Sequence, residues 1–151
     1  MTNDDHDFST RLVVEQTPQA VFDAINHVRG WWSGDIKGDP DKLDAVFTYQ
    51  YGDMHRSTQK VTEFIPAKRI VWHVTDAYLD FVEKKDEWKS TDIIFDINEK
   101  DGKTELTFTH RGLVPVFACY GNCSNAWETL IQKNLRNLII TGDNQADAFA
   151  G

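Results

Sequence analysis

Polar side chains that could bind a ligand or move a proton fall on the apolar faces of two predicted strands. His110 lies two residues after Phe108, and Tyr49 and Tyr51 alternate along a strand with Phe47. Because side chains alternate between the two faces of a strand, these polar groups point toward the predicted core. An apolar wall with a few polar groups is typical of a small-molecule site.

The roles open to these polar groups follow from their chemistry. A histidine such as His110 can hydrogen-bond a ligand or exchange a proton near neutral pH. The alternative is a core histidine that is hydrogen-bonded to a neighbouring side chain. The hydroxyls of Tyr49 and Tyr51 need partners if they are buried.

Other reactive residues point less clearly to catalysis. No histidines pair at the spacing of zinc ligands, and no serine, histidine and acid follow a triad pattern. Asp92 and Asp96 are predicted to point outward on one face, which argues against a paired-carboxylate hydrolase. Cys119 and Cys123 are either small buried thiols or targets of oxidation, and their spacing differs from that of a Cys-x-x-Cys pair. The sequence therefore predicts no catalytic residue, metal or cofactor, and favours a protein that is not an enzyme.

Aromatic residues recur on the predicted apolar faces, and they can either fill a core or line a cavity. The tyrosine hydroxyls favour a cavity, because an apolar wall with fixed polar groups suits a ligand. The predicted ligand-binding residues are Trp31, Phe47, Tyr49, Tyr51, Trp72, Phe95, Phe108, His110 and Trp127.

Two short helices are predicted after a first strand. Thr17 can cap the first helix and Pro18 suits its first position, so the helix begins there and continues to Asn26. The second covers residues 27–32 and ends in Trp31 and Trp32. Neighbouring helical residues diverge by about 100°, so we expect Trp31 and Trp32 to face different ways. In this arrangement Trp31 caps the cavity and Trp32 packs under the connecting loop.

The remaining elements are predicted to be strands followed by one long helix. Asp101 and Gly102 favour a tight hairpin turn, and apolar residues recur at helical spacing from Cys123 to Leu138, with Gly142 as the cap. Short connections favour an antiparallel sheet, and the helix can cover its apolar face. The chain is predicted to form one α+β domain over residues 8–141, with flexible termini at 1–7 and 142–151. The predicted strands are 8–16, 45–51, 55–65, 69–76, 91–97 and 104–110.

This order of elements resembles the START-like (SRPBCC) superfamily. Three stretches are similar to the family of the activator of the heat-shock protein 90 ATPase: Thr17-Pro18-x-x-Val21-Phe22-x-Ala24-Ile25 with Trp31-Trp32, Val61-x-Glu63-x-x-Pro66-x-x-Arg69-Ile70-Val71-Trp72, and Thr104 to His110 with Gly112-Leu113 and Ala126-Trp127. The resemblance implies a helix-grip fold, in which a curved antiparallel sheet wraps around a long C-terminal helix and encloses an apolar cavity.

Composition narrows the class of partner. The formal net charge is −8 and the pI is about 5.0, which disfavours binding to nucleic acid or to an anionic membrane surface. The acidic N-terminus lacks a signal-peptide pattern and no apolar run is long enough to enter a bilayer, so we expect a cytoplasmic protein.

We expect it to bind a small hydrophobic or amphipathic ligand such as a lipid. The resemblance also implies two alternatives. One is a cyclase or hydrolase that acts in the cavity through His110. The other is a stress-related co-chaperone with a chaperone partner.

Overall fold

A seven-stranded sheet forms most of the computed structural model, which describes residues 8–32, 35–38, 40, 42–51, 55–79, 89–111 and 127–142. The strands follow one another in the sheet in the order β1-β7-β6-β5-β4-β3-β2, and every pairing is antiparallel. Their bounds are β1 Phe8–Val14, β2 Asp35–Lys37, β3 Val46–Tyr51, β4 His55–Ile65, β5 Arg69–Leu79, β6 Asp92–Lys100 and β7 Lys103–Arg111. The predicted antiparallel sheet is confirmed.

Turn chemistry and register shifts shape this sheet. Asp101 and Gly102, between β6 and β7, both have positive φ (54° and 78°), as the predicted hairpin requires. The pairing of β4 with β5 shifts register twice, between Thr58 and Gln59 and between Val61 and Glu63. Such irregularities bend a strand and increase its twist, which helps the sheet to curve.

The first helix, α1, spans Pro18–Asn26, as predicted. The Thr17 hydroxyl accepts a hydrogen bond from the backbone N–H of Ala20 (3.1 Å). Three apolar side chains at helical spacing are buried against the sheet: Val21, Phe22 and Ile25. The predicted second helix is shorter than expected, since only Val28–Gly30 form a 3₁₀ turn.

A C-terminal helix lies over the apolar face of the sheet, where residues 127–141 are helical in the described part. Its middle, Leu130–Leu135, is a wider π-helix, and Arg136–Thr141 form α2. Gly142 ends it with φ of 79°, as the predicted cap does. A helix gripped by a curved antiparallel sheet is the predicted α+β helix-grip arrangement, which is confirmed.

Several predictions fall outside the described residues. They concern the flexible segments 1–7 and 143–151, both cysteines and the beginning of the C-terminal helix near Cys123. The side chain of Tyr51 also lies outside the described part, although its backbone belongs to β3.

Candidate functional site

Three tryptophans stack at the centre of the molecule. The rings of Trp31 and Trp32 are nearly parallel, at 11° with centroids 6.0 Å apart. Both stack on Trp72 of β5, at centroid distances of 6.4 Å and 5.9 Å respectively. The expectation that Trp31 and Trp32 face different ways is therefore wrong, and the packing of Trp32 under the connecting loop stays a prediction because part of that loop lies outside the described residues.

The local backbone explains this correction. Trp31 follows the 3₁₀ turn with φ of −139° and ψ of −26°, so it is not helical and the 100° rule does not apply to the pair. Its indole N–H donates to the backbone carbonyl of Ile25 (3.1 Å), and the Asn134 side-chain amide donates to the Trp31 carbonyl (3.1 Å). Trp31 is thus attached to α1 and to the C-terminal helix.

Other rings extend the stack across the sheet. Tyr49 lies flat against Trp32 at 4.0 Å and 13°, and Phe47 meets Trp72 edge-on at 4.9 Å. Phe95, Phe108 and Trp127 continue the chain of contacts, at 4.8 Å (Trp72–Phe95), 5.3 Å (Phe95–Phe108) and 4.7 Å (Phe108–Trp127). We call these eight rings, Trp31, Trp32, Phe47, Tyr49, Trp72, Phe95, Phe108 and Trp127, the aromatic cluster. All are buried.

The structure brings the predicted site residues together, apart from the undescribed side chain of Tyr51. Within the aromatic cluster, neighbouring rings touch one another, as they do in a packed core. A ligand would therefore have to lie beside the cluster rather than between its rings. Contact of these residues with a ligand stays a prediction.

His110 links β7 to the C-terminal helix and to Thr91, the residue before β6, through hydrogen bonds. Its Nδ1 accepts from the indole N–H of Trp127 (3.1 Å), and its Nε2 lies 2.7 Å from the hydroxyl of Thr91. Because an indole N–H can only donate, Nδ1 carries no proton and the neutral ring holds its proton on Nε2. This geometry is that of a core histidine bonded to its neighbours. An acid–base role for His110 stays a prediction.

A second polar group, which the sequence analysis did not single out, lies on the inward face of β4. Gln59 is fully buried, and its Nε2 donates to the hydroxyl of buried Ser57. Its Oε1 has no hydrogen-bond partner, and the same is true of the indole Nε1 of fully buried Trp72 on the neighbouring strand. Asn26 Oδ1 is the third such buried side-chain atom found in the described residues.

The strand pattern contains a signal for this group. Ser57, Gln59 and Val61 alternate along β4, and all three are buried. Because Val61 is apolar, we expect it to face the core, and the alternation then places Ser57 and Gln59 on the same inward face. Sequence alone does not show whether their polar atoms find partners.

The outer face of the sheet carries ion pairs. Arg111 and His73 both hydrogen-bond the carboxylate of Asp92, at 2.6 Å and 2.8 Å. Partial burial opposes ionisation of this carboxylate, but the hydrogen bonds and charges of Arg111 and His73 outweigh it and lower the pKa of Asp92. Arg69 likewise pairs with Glu63 and Asp96. Asp92 and Asp96 thus lie on the outer face, as predicted.

The described part of the chain also bears on metal binding and membrane insertion. Within it, no group of three or more histidine, cysteine or acidic side chains could hold a metal ion. No helix in the same ranges has the length and apolar character needed to cross a bilayer.

Solved structures share this fold. The chain is similar to the Aha1 dimer from Colwellia psychrerythraea, with 19% identity, a TM-score of 0.73, and coverage of 91% of this chain and 98% of that chain. It is similar to CalU16 from Micromonospora echinospora (15% identity, TM-score 0.63, covering 88% and 74%). DynU16, a protein in the dynemicin biosynthetic locus, also matches (16% identity, TM-score 0.65, covering 92% and 49%). These identities show a shared fold only.

Sequence comparison identifies the family. No curated protein matches the chain. A family model described as activator of Hsp90 ATPase homolog 1-like protein matches residues 15–139, which is most of the chain, and this confirms the resemblance to the START-like (SRPBCC) superfamily. The protein therefore belongs to the family of activator of Hsp90 ATPase homolog 1-like proteins.

Proposed function

We propose that the protein binds a small, largely apolar molecule on the inward face of β3, β4 and β5, beside the aromatic cluster. The observation that carries the proposal is the pair of buried, unpartnered polar atoms, Gln59 Oε1 and Trp72 Nε1. A buried polar atom without a partner costs about 1–3 kcal/mol, so a protein gains by supplying it with one. A ligand group can be that partner.

The surroundings of these atoms suit such a ligand. Gln59 pairs across the sheet with Phe47 on one side and Val74 on the other, and both are buried. Tyr49 and Ser57 face each other directly on the next pair of positions. A few polar groups in an apolar, aromatic wall are typical of a small-molecule site.

Titration with N-phenyl-1-naphthylamine, a neutral fluorescent apolar probe, tests this proposal. Binding beside the aromatic cluster should change tryptophan emission and raise the melting temperature. At a probe concentration of 100 times Kd the expected stabilisation is about 2.7 kcal/mol. That corresponds to a rise of roughly 5–10 °C for a domain of this size.

Native mass spectrometry of protein purified from its host is the complementary measurement. We expect it to show a retained small molecule whose mass is lost after denaturation. If neither a retained mass nor any probe-dependent change in melting temperature is observed, the inward face is a solid core and the proposal fails.

A co-chaperone role is a second candidate, favoured by the description of the family model. Such a role needs an exposed apolar surface for the partner. In the described residues the exposed large apolar side chains are Val13, Leu43, Val46, Ile65, Tyr78 and Ile140. Measuring the ATPase rate of Hsp90 from the same host, with and without this protein, tests the candidate. An unchanged rate at saturating protein would exclude it.

A further inference from the structure

We propose that the buried end of the ligand carries a neutral hydroxyl group, which donates to Gln59 Oε1 and accepts from Trp72 Nε1. This inference rests on the proposed function and adds the chemical class of the ligand, a neutral phenol or alcohol on an apolar body. It excludes carboxylates and amines as the buried group.

The two unpartnered atoms have opposite hydrogen-bonding character. Gln59 Oε1 can only accept a hydrogen bond, whereas the indole Nε1 of Trp72 can only donate one. A hydroxyl is the smallest ligand group that both donates and accepts. One hydroxyl can therefore satisfy both atoms, which a carbonyl or an ether cannot do.

The register of the sheet places both residues on one face. Gln59 pairs with Val74, and Val61 pairs with Trp72, so Gln59 and Trp72 are diagonal neighbours on β4 and β5. Diagonal neighbours of a strand pair are about 7–8 Å apart and within reach of long side chains. This arrangement brings the two side chains within reach of one small ligand group.

Among the described residues the buried surroundings carry no charge, which disfavours an ionised group at the buried end of the ligand. The buried polar side chains of the described residues are all neutral: Ser57, Gln59, Thr91, Thr104, His110 and Asn134. No buried lysine or arginine there could pair with a carboxylate, and no buried acid could pair with an amine. Burying an unpaired charge is far more costly than burying a hydrogen-bonded hydroxyl.

The walls next to the two atoms favour an apolar, flat body for the remainder of the ligand. Phe47 lies directly across from Gln59 and meets the Trp72 ring edge-on at 4.9 Å. Trp32 is parallel to Trp72 within 2°. These rings contact one another, so the ligand body would lie beside them, against the aromatic surface that the other rings leave uncovered, which suits a planar hydrocarbon.

Four probes of similar size test the inference by isothermal titration calorimetry. They are 2-naphthol, which donates and accepts, 2-methoxynaphthalene, which only accepts, naphthalene, which does neither, and 2-naphthoate, which is an anion. We expect 2-naphthol to bind about ten- to a hundredfold more tightly than naphthalene, because it makes two more hydrogen bonds. We expect it to bind about three- to tenfold more tightly than 2-methoxynaphthalene, which can still accept from Trp72 Nε1 but cannot donate to Gln59 Oε1. We expect no binding of 2-naphthoate.

Variants locate the preference at the two residues. Gln59→Met and Trp72→Phe should each remove one of the two hydrogen bonds, and each should reduce the preference for 2-naphthol over naphthalene to about three- to tenfold. Gln50→Met, a change of the same type on the exposed face of β3, should leave the preference intact. If Trp72→Phe does not fold, the Trp72 indole N–H signal in the ¹H–¹⁵N spectrum of the unaltered protein replaces it. That signal should move downfield with 2-naphthol and not with naphthalene.

The outcomes separate this inference from the proposed function. Equal affinities for 2-naphthol and naphthalene would refute the hydroxyl while leaving apolar ligand binding in place. An affinity for 2-methoxynaphthalene equal to that for 2-naphthol would show that the ligand donates no hydrogen bond to Gln59 Oε1, and would also overturn the inference. Binding of none of the four probes would overturn the inference together with the function on which it rests.

Discussion

Replacing Gln59 by methionine should stabilise the ligand-free protein. Methionine has nearly the length of glutamine and no strong polar atom, so it removes the unpartnered Oε1 without leaving a large cavity. If the inward face is kept polar for a ligand, its polar atoms reduce the stability of the free fold.

The size of the effect follows from two opposing contributions. Removing a buried, unpartnered acceptor recovers about 1–3 kcal/mol. Losing the hydrogen bond from Gln59 Nε2 to Ser57 costs about 0.5–1.5 kcal/mol. The difference is a stabilisation of about 1 kcal/mol, or roughly 2–4 °C in Tm for a chain of this length.

Urea denaturation followed by circular dichroism measures the free energy of unfolding directly. Gln50→Met is the matched control, because Gln50 lies exposed on the adjacent strand and its replacement should change stability by less than about 0.5 kcal/mol. A destabilisation of Gln59→Met by 1 kcal/mol or more, beside an unaffected control, would refute the reasoning. It would mean that the Gln59 amide is already fully hydrogen-bonded in the free protein.

Three further predictions concern the scaffold. Ala67→Gly should stabilise the β4–β5 turn by up to about 1 kcal/mol, since Ala67 has φ of 62°, and a fall in thermal midpoint would contradict this. Thr17→Ala should cost about 1 kcal/mol by removing the cap of α1, measurable as a lower urea midpoint. Asp92→Asn should destabilise the protein at pH 7, where the ionised carboxylate bonds to Arg111. Because folding lowers the pKa of Asp92, that stabilisation is present above the unfolded pKa of about 3.9 and is lost as pH falls through the folded pKa. The deficit of the variant should therefore shrink as pH falls below the unfolded pKa, and a constant deficit would argue against the ion pair.

Local sequence signals predicted most of the fold. The bounds of α1 and of β4 agree with the predicted ones, because a capping threonine and a proline mark the beginning of α1 and Pro66 marks the end of the polar-rich strand β4. β2 was missed because its three residues, with one apolar side chain at Ile36, are too short to show a period. The second helix was predicted too long because a 3₁₀ turn has no sequence signal that separates it from an α-helix.

The candidate site was predicted less completely, for a physical reason. Alternation gives the face of each residue, and it correctly placed Phe47, Tyr49 and Phe108 inward. It does not give the backbone angles of Trp31, which decide that Trp31 and Trp32 stack. Nor does it reveal that Gln59 lacks a partner for Oε1, since that depends on neighbours from other strands.

The pairing of β1 with β7 limits how early during synthesis the sheet can be completed. Ser9 bonds to Phe108, 99 residues later in the chain, so β1 has no strand to pair with until nearly the whole domain has been synthesised. At a synthesis rate of about 5–20 residues per second, β7 is synthesised roughly 5–20 seconds after β1. Completion of the sheet, and with it of the wall that faces the C-terminal helix, is therefore one of the last events in the biogenesis of the domain.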